Sequence, residues 1–105
     1  MMRRDVSDDP PAGFEWDPTK ASRNDSMPGR PSFQDATTAF IDMNRWESID
    51  DANSSDSEVR WRLVGLTALG RLVTVAFTYR DNRIRIISAR PATRPETKSH
   101  EAKRR

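Results

Sequence analysis

A chain of 105 residues with no cysteine, 34% hydrophobic and 32% charged, has room for one small domain and excludes disulfides, thiolate catalysis and thiolate metal sites. The net charge of +2 hides an asymmetry: residues 1 to 57 hold six Lys or Arg against twelve Asp or Glu, net −6, and residues 58 to 105 hold twelve against four, net +8. A basic C-terminal half points to phosphate backbones or an acidic protein partner, unless the two halves neutralise each other across the fold.

Residues 1–13, with Asp8-Asp9-Pro10-Pro11, hold almost nothing to bury and are expected to form a disordered tail. Met1-Met2-Arg3-Arg4 leads into Asp5 rather than an apolar signal segment, and no stretch approaches the ~20 apolar residues of a membrane span, so a cytoplasmic protein is expected. Phe14-Glu15-Trp16 is a very short strand that delivers two aromatics to a sheet. Asp17-Pro18 then starts a helix, with Asp as N-cap and Pro at the first helical position, and Ser26-Met27-Pro28-Gly29 breaks it. Ser32 caps the next helix with Asp35 three residues on, and Phe33, Ala36, Thr37, Phe40 and Ile41 follow at helical spacing. Met43 to Ile49 is a weakly patterned strand carrying Trp46. The acidic run from Asp50 to Ser57 is a loop without metal-loop spacing.

Three strands follow, over 60–66, 72–79 and 83–90, the first two joined by a Gly70-containing turn and the last two by Asp81-Asn82, residues that tolerate the positive φ of a primed hairpin turn. Pairing Arg80 with Arg83 opposes Tyr79 to Ile84, Thr78 to Arg85 and Phe77 to Ile86. One face of the meander is then apolar, with Trp61, Leu63, Val73, Val75, Phe77, Tyr79, Ile84 and Ile86. The other carries Arg60, Arg62, Thr74, Thr78, Arg80, Arg83 and Arg85, too basic for a core and suited to a polyanion. Thr93 with Glu96 caps a last helix whose only apolar residue after Arg94 and Pro95 is Ala102, so residues 97–105 are expected to be a basic, frayed tail behind a single domain over 14–96.

Phe14-Glu15-Trp16-Asp17-Pro18 with Lys20 and Asn24, Ser32-Phe33 with Ala36 and Phe40, Glu58 with Arg60-Trp61, Gly65, Gly70-Arg71-Leu72, and Arg83 through Arg90 with Ala92-Thr93-Arg94 and Glu96 together resemble one family. It is BrnT, the toxin half of bacterial type II toxin–antitoxin pairs. The resemblance spans about residues 14–101 and implies a RelE-like α+β ribonuclease fold: a small antiparallel sheet, two N-terminal helices and a C-terminal helix. It also implies an endoribonuclease that cleaves RNA without a metal or cofactor, and a ribbon-helix-helix antitoxin of the BrnA kind through which alone it reaches operator DNA. Where the family has Lys-His-Gly-Val, this chain has Met27-Pro28-Gly29-Arg30; His100 stands at the family's Tyr, and Pro91 at its Lys.

Metal-free RNA cleavage needs a base for the 2′-OH proton, cations for the phosphate, and an acid for the leaving oxygen. Arg60, Arg85 and Arg90 are the expected phosphate contacts, because a guanidinium stays charged and offers paired donors. Strand parity sets Arg90 opposite to Arg85, so its place in the set requires the strand to end or bulge before it. Glu58 is either the base or the salt-bridge partner of a neighbouring Arg. Arg62, Thr78, Arg80, Arg83 and Arg94 are expected to line the RNA path, and His100 is either an acid–base group or a solvated tail residue. The alternative function, suggested by Met27-Pro28, is a catalytically weakened module that binds antitoxin and co-represses its operon.

Overall fold

The predicted hairpin forms the centre of a five-stranded sheet in the computed structural model, which describes residues 10–103. Its turn residues Asp81 and Asn82 have φ of 52° and 65°, as a primed turn demands. The elements in order are β1 (Phe14–Trp16), α1 (Pro18–Asp25), α2 (Phe33–Thr37), a 3-10 turn (Thr38–Ile41), β2 (Trp46–Ile49), a second 3-10 turn (Asp51–Asn53), β3 (Trp61–Leu66), β4 (Leu72–Arg80), β5 (Arg83–Pro91) and α3 (Arg94–Lys103). The sheet order is β1-β5-β4-β3-β2. From β2 to β5 the strands form the expected antiparallel meander, with Tyr79 opposite Ile84, Thr78 opposite Arg85 and Phe77 opposite Ile86. The sheet as a whole is mixed, however, because β1 pairs parallel to β5, Phe14 against Ile84 and Trp16 against Ile86. α1 lies between β1 and the rest of the chain, and a strand that does not return through a hairpin is free to pair in this sense.

Local signals set the helices. The Asp17 carboxylate accepts from the Thr19 amide at 2.9 Å, and Ser32 Oγ accepts from the Asp35 amide at 2.9 Å. The helix expected from Ser32 to Ile41 is α-helical only through Thr37 and then tightens to 3-10. There the chain rests on the sheet at Gly65: a Cβ at that position would lie 2.8 Å from the Ala39 carbonyl oxygen. α1, α2 and the 3-10 turn cover the apolar face, closing a core of Phe33, Ala36, Leu63, Val75, Phe77 and Ile86. Phe40 stacks edge-on against Phe14 at 5.2 Å and Phe77 at 5.0 Å.

Over 97–103, α3 differs from the expected frayed tail, and residues 104–105 lie outside the described residues. The helix runs to Lys103 and holds on through polar groups on the other side of the sheet. Thr93 and Glu96 form a reciprocal capping box: Thr93 N–H donates to Glu96 Oε1 at 2.8 Å, and Glu96 N–H donates to Thr93 Oγ1 at 3.3 Å. His100, 2% exposed, lies 2.7 Å from Asp42 Oδ2, and Lys103 Nζ donates to the Arg45 carbonyl. The Asp42 carboxylate is held below the usual range: burial pushes it up, but the amides of Asn44 and Leu66 and the His100 ring outweigh that. Of the predicted N-terminal tail, residues 1–9 lie outside the described residues, whereas Pro11 and Gly13 carbonyls accept from Phe14 and Ile84 amides and extend the domain beyond β1. No helix among the described residues is long and apolar enough to cross a membrane.

Candidate active site

The register of β4 and β5 shifts between Ala76 and Phe77: Phe77 opposes Ile86 and Ala76 opposes Ser88, which leaves Ile87 as an extra residue on β5. Beyond this bulge the parity of β5 is reversed. Ala89 turns into the core, and Arg90, opposite Thr74, joins the face that holds Arg85. The condition attached to Arg90 is therefore met.

On that face Arg62 sits opposite Ala76, so Arg62, Ala76 and Ser88 form one row across the sheet, with Val64, Thr74 and Arg90 as the next. The small side chains of Thr74, Ala76 and Ser88 leave a depression of about 410 Å³, lined also by Asp50, Asn53, Arg60, Arg62, Ile87 and Arg90. Three guanidiniums thus converge on one cleft, with one carboxylate, Asp50, on its wall. Asp50 was hidden in sequence among the acidic residues of a polar loop, and its amide donates to the Arg60 carbonyl at 2.8 Å, which sets it beside the arginines.

The arginines differ in their partners. Arg60 Nε donates to Glu58 Oε1 at 3.0 Å, so Glu58 takes the salt-bridge role of its two expected roles and does not line the cleft. Arg90 forms a bidentate pair with Glu96 at 2.9 and 3.1 Å, and Glu96 also accepts from Thr74 Oγ1. Burial raises the Glu96 carboxyl, yet the bonds from Arg90, Thr93 and Thr74 bring it to about 2. Arg62 is the exception, for its Nε is buried within the cleft region and has no hydrogen-bond partner. The rest of the half-buried side chain lines the cleft, and its charge is suited to an incoming anion.

The remaining expected residues fall elsewhere. Arg85 shares the face but pairs with Glu15 of β1 at 3.0 Å and does not line the cleft. Thr78 is almost fully buried, its hydroxyl donates to the Val59 carbonyl at 2.7 Å, and it does not line the cleft. Arg80 and Arg83 are exposed at the hairpin end, and Arg94 is exposed at the start of α3. His100 is neither solvated nor at the cleft, being closed off against Asp42. Among the described residues, no group of three or more acidic or His side chains is placed to hold a metal ion.

Compared with known protein families, residues 16–96 match the one described as the ribonuclease toxin, BrnT, of type II toxin–antitoxin systems. The chain belongs to the BrnT family. No curated protein matches the chain. The BrnT match runs from Trp16, the last residue of β1, through Glu96, and so covers every residue that lines the cleft. The departure from the BrnT pattern at Met27–Arg30 lies away from it. α1 leads into this segment and packs on the apolar face through Ala21; Gly29 accepts from Arg71 Nη2 at 2.7 Å, and Arg30 Nη1 donates to Asn24 Oδ1 at 3.1 Å. None of these four residues lines the arginine cleft.

Proposed function

We propose that this chain is a toxin endoribonuclease that cleaves RNA without a metal ion in the cleft of Arg60, Arg62 and Arg90. One observation carries it: three arginines line a single depression, and one of them, Arg62, has an enclosed Nε without a hydrogen-bond partner. Arg62 then holds the phosphate as charge grows on its oxygens, while Glu58 and Glu96 fix Arg60 and Arg90 in place beside it. Asp50 is the carboxylate within the cleft and takes the 2′-OH proton as that oxygen attacks phosphorus; the 5′ oxygen leaves and is protonated from solvent. The antitoxin, a ribbon-helix-helix protein, neutralises the toxin by covering this basic face, and operator DNA is reached only through it.

A second reading keeps antitoxin binding and co-repression without cleavage. It draws on the carboxylate partners that Arg60, Arg85 and Arg90 already have. Incubating purified protein with a defined RNA in the presence of a chelator separates the two. Wild type is expected to cleave, Arg62→Ala to lose on the order of 10²-fold or more, and its binding to depend less steeply on salt by about one phosphate contact. RNA left intact by wild type, with a tight antitoxin complex retained, overturns the cleavage assignment.

A further inference from the structure

Next to the cleft, at the end of β3 and β4, lies a second pocket of about 670 Å³ with Ile49, Glu58, Val59, Trp61, Tyr79 and Arg80 in its lining. We propose that this pocket takes one nucleobase of the RNA, stacked against Tyr79. This rests on the ribonuclease assignment and adds to it a site for the base beside the bound phosphate.

Tyr79 is 56% exposed although it continues the apolar row of Phe77, so it stands past the edge of the core. Its ring is nevertheless held, edge-on to Trp61 at 6.1 Å and 80° and to Phe77 at 5.6 Å and 84°. Contacts of that kind fix a ring's orientation, and a held, exposed ring is what a planar base stacks on. Exposed Val59 and Ile49 supply apolar walls. The Glu58 carboxylate and the Arg80 guanidinium supply an acceptor and donors for base edges. Burial and the nearby Glu47 raise the Tyr79 hydroxyl, keeping it a donor.

The link to the cleft is the ion pair already described. Glu58 lines the base pocket, Arg60 lines the cleft, and they meet at 3.0 Å. Tyr79 and Trp61 follow the apolar parity of the sheet and the cleft follows the opposite one, so an RNA strand with a phosphate at Arg60 reaches the pocket by passing around this ion pair at the open end of β3 and β4. An apolar protein segment could use Ile49 and Val59, but it has no need of a phosphate cleft on the other side of the same ion pair.

Calorimetric titration of the full chain with the four 5′-mononucleotides and with ribose 5-phosphate tests this directly. At least one mononucleotide is expected to bind on the order of 10-fold more tightly than ribose 5-phosphate, a stacking-sized advantage. Tyr79→Ala should abolish that advantage while leaving ribose 5-phosphate binding unchanged, and Tyr79→Phe should keep it; an unaltered melting curve for each variant shows that the fold is intact. With RNA, Tyr79→Ala should flatten the base preference at the cleaved position, whereas Arg62→Ala should lower cleavage at all positions alike. Equal binding of mononucleotides and ribose 5-phosphate by wild type overturns the proposal, as does Tyr79→Ala weakening only the antitoxin complex. If wild type leaves RNA intact, the mononucleotide titration still decides the pocket, so the two failures are separable.

Discussion

Replacing Glu96 by Gln removes one charge from the contact on which both α3 and Arg90 depend. Glu96 Oε1 accepts from Thr74, Thr93 N–H and Arg90, and Oε2 accepts from Arg90 again. A Gln keeps one acceptor oxygen but turns an NH₂ group toward a guanidinium that can only donate. The carboxyl's fall from 4.5 to about 2 corresponds, at roughly 1.4 kcal/mol per unit, to about 3 kcal/mol of stabilisation. Arg90 is a third exposed, and screening by water brings the expected loss at pH 7 to about 2 kcal/mol. The sign follows from the depressed value: this stability is present above pH 4.5 and is lost as pH falls through about 2. Urea unfolding of wild type and Glu96→Gln over that range should show a gap of about 2 kcal/mol that closes on acidification. A gap below about 0.5 kcal/mol at pH 7, or one that stays constant down to the lowest pH, refutes the reasoning.

Two further outcomes are expected. Phe77→Ala should cost about 3–5 kcal/mol in chemical denaturation, because Phe77 is fully buried and packs on Phe40 from the 3-10 turn. A loss under about 1 kcal/mol would place it outside the core. His100→Ala should free the C-terminal half of α3 from Asp42, so trypsin should cut after Lys98 on the order of 10-fold faster while the main urea transition barely moves. Unchanged cleavage would mean that His100 does not hold the helix.

The hairpin was legible residue by residue because period-two alternation, two turn residues and one arginine pair all specify the same register. Helix starts were legible for a similar reason, since Asp17 and Ser32 act through bonds only two or three residues away. The parallel pairing of β1 was not, because three residues carry no information about strand direction. The Ile87 bulge was foreseen only as a condition: Ile87 looks like its aliphatic neighbours, and its extra place on β5 is set by how β4 meets it. α3 was misread for a physical reason, namely that hydrophobic periodicity detects apolar burial and the buried side chains of this helix are Glu96 and His100. The same blindness to polar partners ranked Arg62 below Arg85. Only the carboxylates beside each guanidinium reveal which one is open.

The way α3 is held also sets how its release would register. Unfolding raises the heat capacity where apolar surface meets water, by roughly 0.45 cal/mol/K per Å², and lowers it where polar surface does, by roughly 0.26. The helix brings a buried carboxylate and a buried imidazole to its contact, and no large aliphatic side chain. Its detachment therefore carries a smaller heat-capacity change than collapse of the sheet. What moves it is the ionic composition of the solvent, so the state of the helix over Arg90 is set by acidity and salt at temperatures where the sheet stays intact.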